Sequence, residues 1–155
     1  MGDPRAGQIV DNIFVSIQQI QIAGDVVASA GDWLILSSTP SEGHVLASAT
    51  SDGSDLAARN LVQTRVDIDT TGLTDRATVV ECLAAPSYVY AVAGGAIPAG
   101  AIVKLDTTGQ KFLVASATDL AAGYVVGRFS RLSTDSAGNN DAVDTDIIIL
   151  KLGVN

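Results

Sequence analysis

The chain has 155 residues, with 17 acidic against 9 basic side chains and a net charge of −8. Charged residues are only 17 % and hydrophobic ones 47 %, which excludes an intrinsically disordered chain, because disorder needs low hydrophobicity and high charge. The acidic balance repels phosphate backbones and argues against a nucleic-acid partner. The single cysteine, Cys82, excludes an intrachain disulfide, and the single histidine, His44, excludes any mechanism that needs two imidazoles.

Residues 1–24 differ from the rest. The leader Met1-Gly2-Asp3-Pro4-Arg5 is polar and lacks the apolar core of a signal peptide. Behind it, Ile9, Ile13, Ile17 and Ile20, with Val10 and Phe14, recur at three- and four-residue spacing, as on one helix face. Ile20 and Ile22 also alternate with Gln, and β-branched residues dominate, which favours a strand. Periodicity leaves helix and strand both open. The segment reads as an apolar N-terminal arm that either packs on its own domain or reaches a neighbour, as a helix in a groove or an added strand.

Residues 25–155 read as one β domain, with a natural place for subdivision near 86–98. Strands are expected at 33–37, 44–49, 61–68, 77–83, 88–93, 101–105, 111–116, 124–132 and 146–152, separated by Gly-, Ser-, Asp- and Asn-rich turns. Such spacing predicts an all-β fold, a compact sandwich or barrel-like domain of short antiparallel strands. One short helix is expected around 56–61. Residues 101–116 read as a hairpin: Pro98 presets φ and Gly100 lets the chain exit, while Asp106-Thr107-Thr108-Gly109 closes the turn. Asp69-Thr70-Thr71-Gly72 repeats that turn. The uncharged stretch 82–103 is long enough to span a bilayer but holds Pro86, Pro98 and three glycines, so it reads as two strands and a glycine-rich connection, with no membrane partner.

Catalytic constellations are missing. A Ser-His-Asp mechanism needs a base held by a third group, whereas His44 reads as a surface residue at a strand start. Cys82, among Val79, Val80, Leu83 and Ala84, reads as an inert core thiol. The two Asp-Thr-Thr-Gly segments differ from aspartic-protease loops by an additional Thr, and turn chemistry already explains them. Asp67-Ile68-Asp69-Thr70-Thr71-Gly72 opens like a calcium loop, but its twelfth position is Thr78 where a bidentate Glu belongs. Asp135, Asn139, Asn140, Asp141, Asp144 and Asp146 form an oxygen-rich loop without ligand register. The expectation is no enzyme activity, no catalytic residue, no metal site and no cofactor.

The run Gly95-Ala96-Ile97-Pro98-Ala99-Gly100-Ala101-Ile102-Val103-Lys104-Leu105-Asp106-Thr107-Thr108-Gly109 resembles the small capsid decoration, or cement, proteins of tailed bacteriophages. In that family a Pro-Ala-Gly turn opens a strand and an Asp-x-x-Gly turn closes it. An Ala-Thr-Asp segment follows (Ala117-Thr118-Asp119), then Gly-x-Val-x-Gly (Gly123 to Gly127) and a final apolar strand. The resemblance covers residues 94–155. It departs before the last strand, where Asp141-Ala142-Val143-Asp144 replaces the usual Gly-Asp. The resemblance implies a structural virion protein on the capsid exterior, with the major capsid protein and itself, as a homotrimer, for partners. The alternatives are another virion structural protein, such as a head fibre or tail-associated protein, or a host β-module that binds a sugar or peptide. Ile9, Ile13, Phe14, Ile17 and Ile20 are the expected capsid or oligomer contacts. Only 5 % of residues are aromatic, and a fold so short of large side chains gains from subunit mates or a shell to pack against.

Overall fold

In a computed structural model, which describes residues 5–10, 15–47, 60–106, 110–135 and 137–153, the chain is nearly all β. The strands are β1 (Ile17–Ile22), β2 (Val27–Ala28), β3 (Trp33–Leu36), β4 (His44–Leu46), β5 (Val62–Thr64) and β6 (Ile68–Asp69). They continue with β7 (Thr78–Ala84), β8 (Ser87–Val92), β9 (Ile102–Leu105) and β10 (Phe112–Val114). A short helix α1 (Ala117–Ala121) then precedes β11 (Gly127–Leu132) and β12 (Ile147–Leu152). Each expected strand is present, with 61–68 divided into β5 and the start of β6. The uncharged stretch forms the end of β7, then β8, a glycine-rich connection and the start of β9. Among the described residues no helix is long and apolar enough to cross a membrane.

The first half closes into a barrel in the order β1-β4-β3-β5-β7. Period-two alternation aims Ile20 and Ile22 of β1 into its interior, where they meet Leu34, Val62, Cys82 and Ala84. The pairings are antiparallel except β1 with β4, which is parallel and joins Ile22 to His44. The hairpin-like pair β2–β6 lies beside the barrel and shares its core through Ala28 and Ile68.

Two expectations about the N-terminus are corrected here. Residues 17–22 are not part of an arm ending at Gly24: they form β1, which pairs with β7 over six residues, from Ile17 opposite Leu83 to Ile22 opposite Thr78. The β domain therefore begins upstream of residue 25. Strand wins over helix because the Ile-Gln alternation buries one face against a partner that supplies a full ladder of backbone bonds, whereas a lone helix lacks such a partner. Of the upstream residues, Ile9 makes a single antiparallel bridge to Val89 of β8, while Ile13 and Phe14 lie outside the described residues. The helix expected around 56–61 falls largely outside them as well; Leu61 itself is extended chain leading into β5.

The chain leaves the barrel through the cis peptide Ala85–Pro86 and enters a second sheet of order β10-β9-β11-β12-β8. The expected hairpin is there: β9 and β10 pair antiparallel, Leu105 opposite Phe112 and Val103 opposite Val114. Its turn residues 107–109 are outside the described set. This sheet curls until Ala93, just past β8, bridges Phe112 of β10. Its concave side buries Val89, Val103, Phe129, Ile148 and Leu150 against Trp33, Ile35 and Leu83 from the barrel's outer wall. Trp33 meets Phe112 edge to face, ring centroids 5.0 Å apart, and Gln110 clasps the junction by accepting from the Trp33 N–H and donating to the Ala47 carbonyl. Barrel and sheet thus share one apolar core.

Candidate functional site

The two residues with nucleophilic or acid–base chemistry are both committed to structure. Cys82 is fully buried on β7, and desolvation pushes its thiol up to about 12, leaving essentially no thiolate near neutrality. His44 is not a surface residue. It is buried at the start of β4, with Nε2–H donating to the Asn60 carbonyl at 3.1 Å, and burial lowers its pKa below the ordinary value. The pair shares no partner among the hydrogen bonds of the described residues.

The acidic turns spend their carboxylates on backbone N–H groups. Asp69 accepts from Thr71 N, and the Thr71 side chain and backbone N–H hold its carboxyl below the usual range. Gly72 follows at φ +73°, the left-handed conformation that this Asx turn requires of its last residue. Asp67 accepts from Ala30 N, away from Asp69's partner. Asp135 gathers the N–H groups of Ala137, Asn139 and Asn140, with the Asn140 bond first in lowering its pKa. Asp141 caps Ala99 N and Asp146 caps Val143 N. Among the described residues no three His, Cys, Asp or Glu side chains converge as a metal site.

The expected contact residues divide. Ile9 and Ile17 are 36 % and 42 % exposed, open to a partner, whereas Ile20 at 5 % belongs to the barrel core. Ile20 is therefore corrected from a contact residue to a core residue, because β1 turns Ile20 and Ile22 inward. Ile13 and Phe14 lie outside the described residues, and of the other three Ile20 faces away from Ile9 and Ile17 into the core.

Two other surfaces are built by strand alternation. On the outward face of the second sheet, Tyr88 of β8, Lys151 of β12 and Arg128 of β11 lie side by side. The next row is Tyr90, Ile149 and Arg131, with a bulge between Phe129 and Arg131 setting the last. With Lys104 of β9, the five strands hold four of the chain's nine basic residues and no acidic one. Lys104 is tied to Asp119 of α1 at 3.0 Å; Arg128 reaches only the Gly100 carbonyl and Arg131 the Leu132 carbonyl. Sequence reasoning missed this face, although Arg128-Phe129-Ser130-Arg131 and Leu150-Lys151-Leu152 carry a period-two signal.

The second surface is the β2–β6 pair with the connection to β7. Val27 and Leu73 are 63 % and 51 % exposed, and Val27 stands opposite Asp69. Asp25 accepts from Gly72 N and Asp75 from Gly24 N, which hold two more carboxylates around them. Arg76, in the same connection, donates from Nε to Gln21 of β1, and the patch is otherwise acidic and apolar, the converse of the sheet face. The clefts are small by comparison. One of about 160 Å³ lies between Leu61 and Ala85 of the barrel and Val126 and Leu152 of the sheet, and it has no acid–base group in its lining. No family model matches the chain, and no curated protein or solved structure matches it either.

Proposed function

We propose that this protein is a structural virion protein that decorates the outer surface of a tailed-phage head and stabilises it, acting as a trimer without catalysis. The observation that carries this reading is the segment from Gly95 to Gly109 with the motifs after it, whose order resembles the decoration proteins. The described residues at the start of this segment support the reading. Pro98-Ala99-Gly100 turns into β9, with Ala101 N–H bonded to the Pro98 carbonyl and Gly100 at φ +77°. The strands that follow make one sheet. A net charge of −8 suits an exterior position away from packaged DNA, and the buried Cys82 and His44 leave the chemistry of the surface to contacts. Attachment draws on the exposed apolar residues Ile9 and Ile17 near the N-terminus.

The test uses heads assembled without this protein by the virus that encodes it. Purified chain should bind in hundreds of copies per head, three at each site, and raise the temperature at which heads rupture, since a ligand of the assembled state stabilises it by mass action. Ile9→Ser with Ile17→Ser should weaken binding at least tenfold, about 1.4 kcal/mol. No binding to bare heads overturns the proposal; a few copies per particle would make the chain a head-fibre or tail-associated protein instead.

A further inference from the structure

We infer that the outward face of the second sheet is a docking surface for a second copy of this chain, and that the acidic β2–β6 patch of that copy is what it receives. The inference rests on the trimer reading above and names the surfaces that would build it.

The argument is one of complementary charge and shape of composition. In a molecule of net charge −8, four of nine basic residues stand on five strands with no acidic residue, and with Lys104 tied to Asp119 of α1 the face presents Arg128, Arg131 and Lys151. An exposed cationic face within an acidic surface is matched best by another acidic surface, and the most abundant one is the chain itself. The β2–β6 patch offers Asp25, Asp69 and Asp75 around Val27 and Leu73. Asp25 and Asp75 each use one oxygen on a backbone N–H, so the other can accept from a guanidinium or ammonium group, while Asp69, held by both the side chain and the backbone N–H of Thr71, adds its negative charge. The apolar parts match as well: Tyr88 and Tyr90 stand at the β8 end of the two rows, beside Lys151 and the buried Ile149, and offer half-buried rings against which exposed Val27 and Leu73 can be covered. Because the two patches differ and sit on different halves of the fold, the contact is head to tail. Repeated by rotation it closes into a ring, of which a trimer is the three-membered case. Charge pairs of this kind set partner choice and register, and salt weakens them.

The experiment is sedimentation of the full chain across concentration at low and high salt, with unfolding curves to verify that each variant folds. The wild type should associate at low salt and dissociate at least tenfold more readily at high salt. Arg128→Glu with Lys151→Glu should weaken association at least tenfold. So should Val27→Lys with Leu73→Lys, which removes the apolar part of the other patch and offsets two of its three negative charges without touching its backbone-capping carboxylates. Adding charge at the exposed residues Thr118 of α1 and Ala122 just after it, as Thr118→Lys with Ala122→Lys, should change nothing. A wild type that is monomeric at every concentration overturns the inference and leaves the face to an acidic partner other than itself. Face variants that associate as the wild type does overturn it too. Decoration of heads by a chain monomeric in solution would sink this contact while leaving the proposed function standing; association without decoration would do the reverse.

Discussion

His44 is the residue whose protonation matters most to the fold. It is neutral in the core beside Asn60, and desolvation sets its pKa below 6.5. Between that lowered value and 6.5 the unfolded chain binds more protons than the folded one, so stability falls as pH drops through this window and is fully present above it. The depressed carboxyls of Asp69, Asp119 and Asp135 add their own loss only lower, as pH falls below the ordinary carboxylate range. Denaturant midpoints measured from pH 7.5 to 5.5 should therefore decline for the wild type and stay level for His44→Gln. Equal slopes would place the proton elsewhere. The burial of His44 was not legible locally, because its partner Asn60 is distant in sequence and nothing around Gly43-His44-Val45 marks a polar core position.

At the scale of elements, Gly127 shows why one motif glycine is needed. A Cβ there would run into the Lys151 carbonyl and the Leu150 side chain, because β11 crosses β12 at close range where Gly127 pairs with Leu152. Gly127→Ala should destabilise the protein by about 1–3 kcal/mol through overpacking, read as a lower melting temperature, while Gly123→Ala tests positive φ without contact. Strands flanked by strong turn residues, such as β8 to β10, were readable because alternation and punctuation agree there. β1 was not, since isoleucines at 9, 13, 17 and 20 imitate a helical stripe and only the β7 partner decides between the two periods. Helix α1 was missed although Ser116 and Asp119 make a capping box, Ser116 Oγ accepting from Asp119 N and Asp119 from Ser116 N. Five residues give too little periodicity to detect. The paired surfaces were invisible for a related reason: their charges come from strands far apart in sequence and meet only through register.

For the whole molecule, the shared core predicts cooperative behaviour. Trp33 is 1 % exposed and belongs by chain to the barrel but by contact to the second sheet. Its fluorescence and the far-ultraviolet circular dichroism should give coincident unfolding transitions, as in a two-state domain. Trp33→Ala should cost about 3–5 kcal/mol and, by removing the main link between the halves, separate the transitions of barrel and sheet in circular dichroism. Two transitions already present in the wild type would mean that the halves are independent.

The pairing of β1 with β7 also dictates an order of events during synthesis. The two strands lie roughly sixty residues apart, and such distant pairing slows folding toward milliseconds or seconds. β1 leaves the ribosome well before β7, and its ladder is unavailable until β7 has followed. At about 5–20 residues per second, that is an interval of several seconds in which an isoleucine-rich strand waits with both edges open. The glutamines interspersed along it, Gln18, Gln19 and Gln21, keep that nascent segment hydrated until the barrel can shut around it.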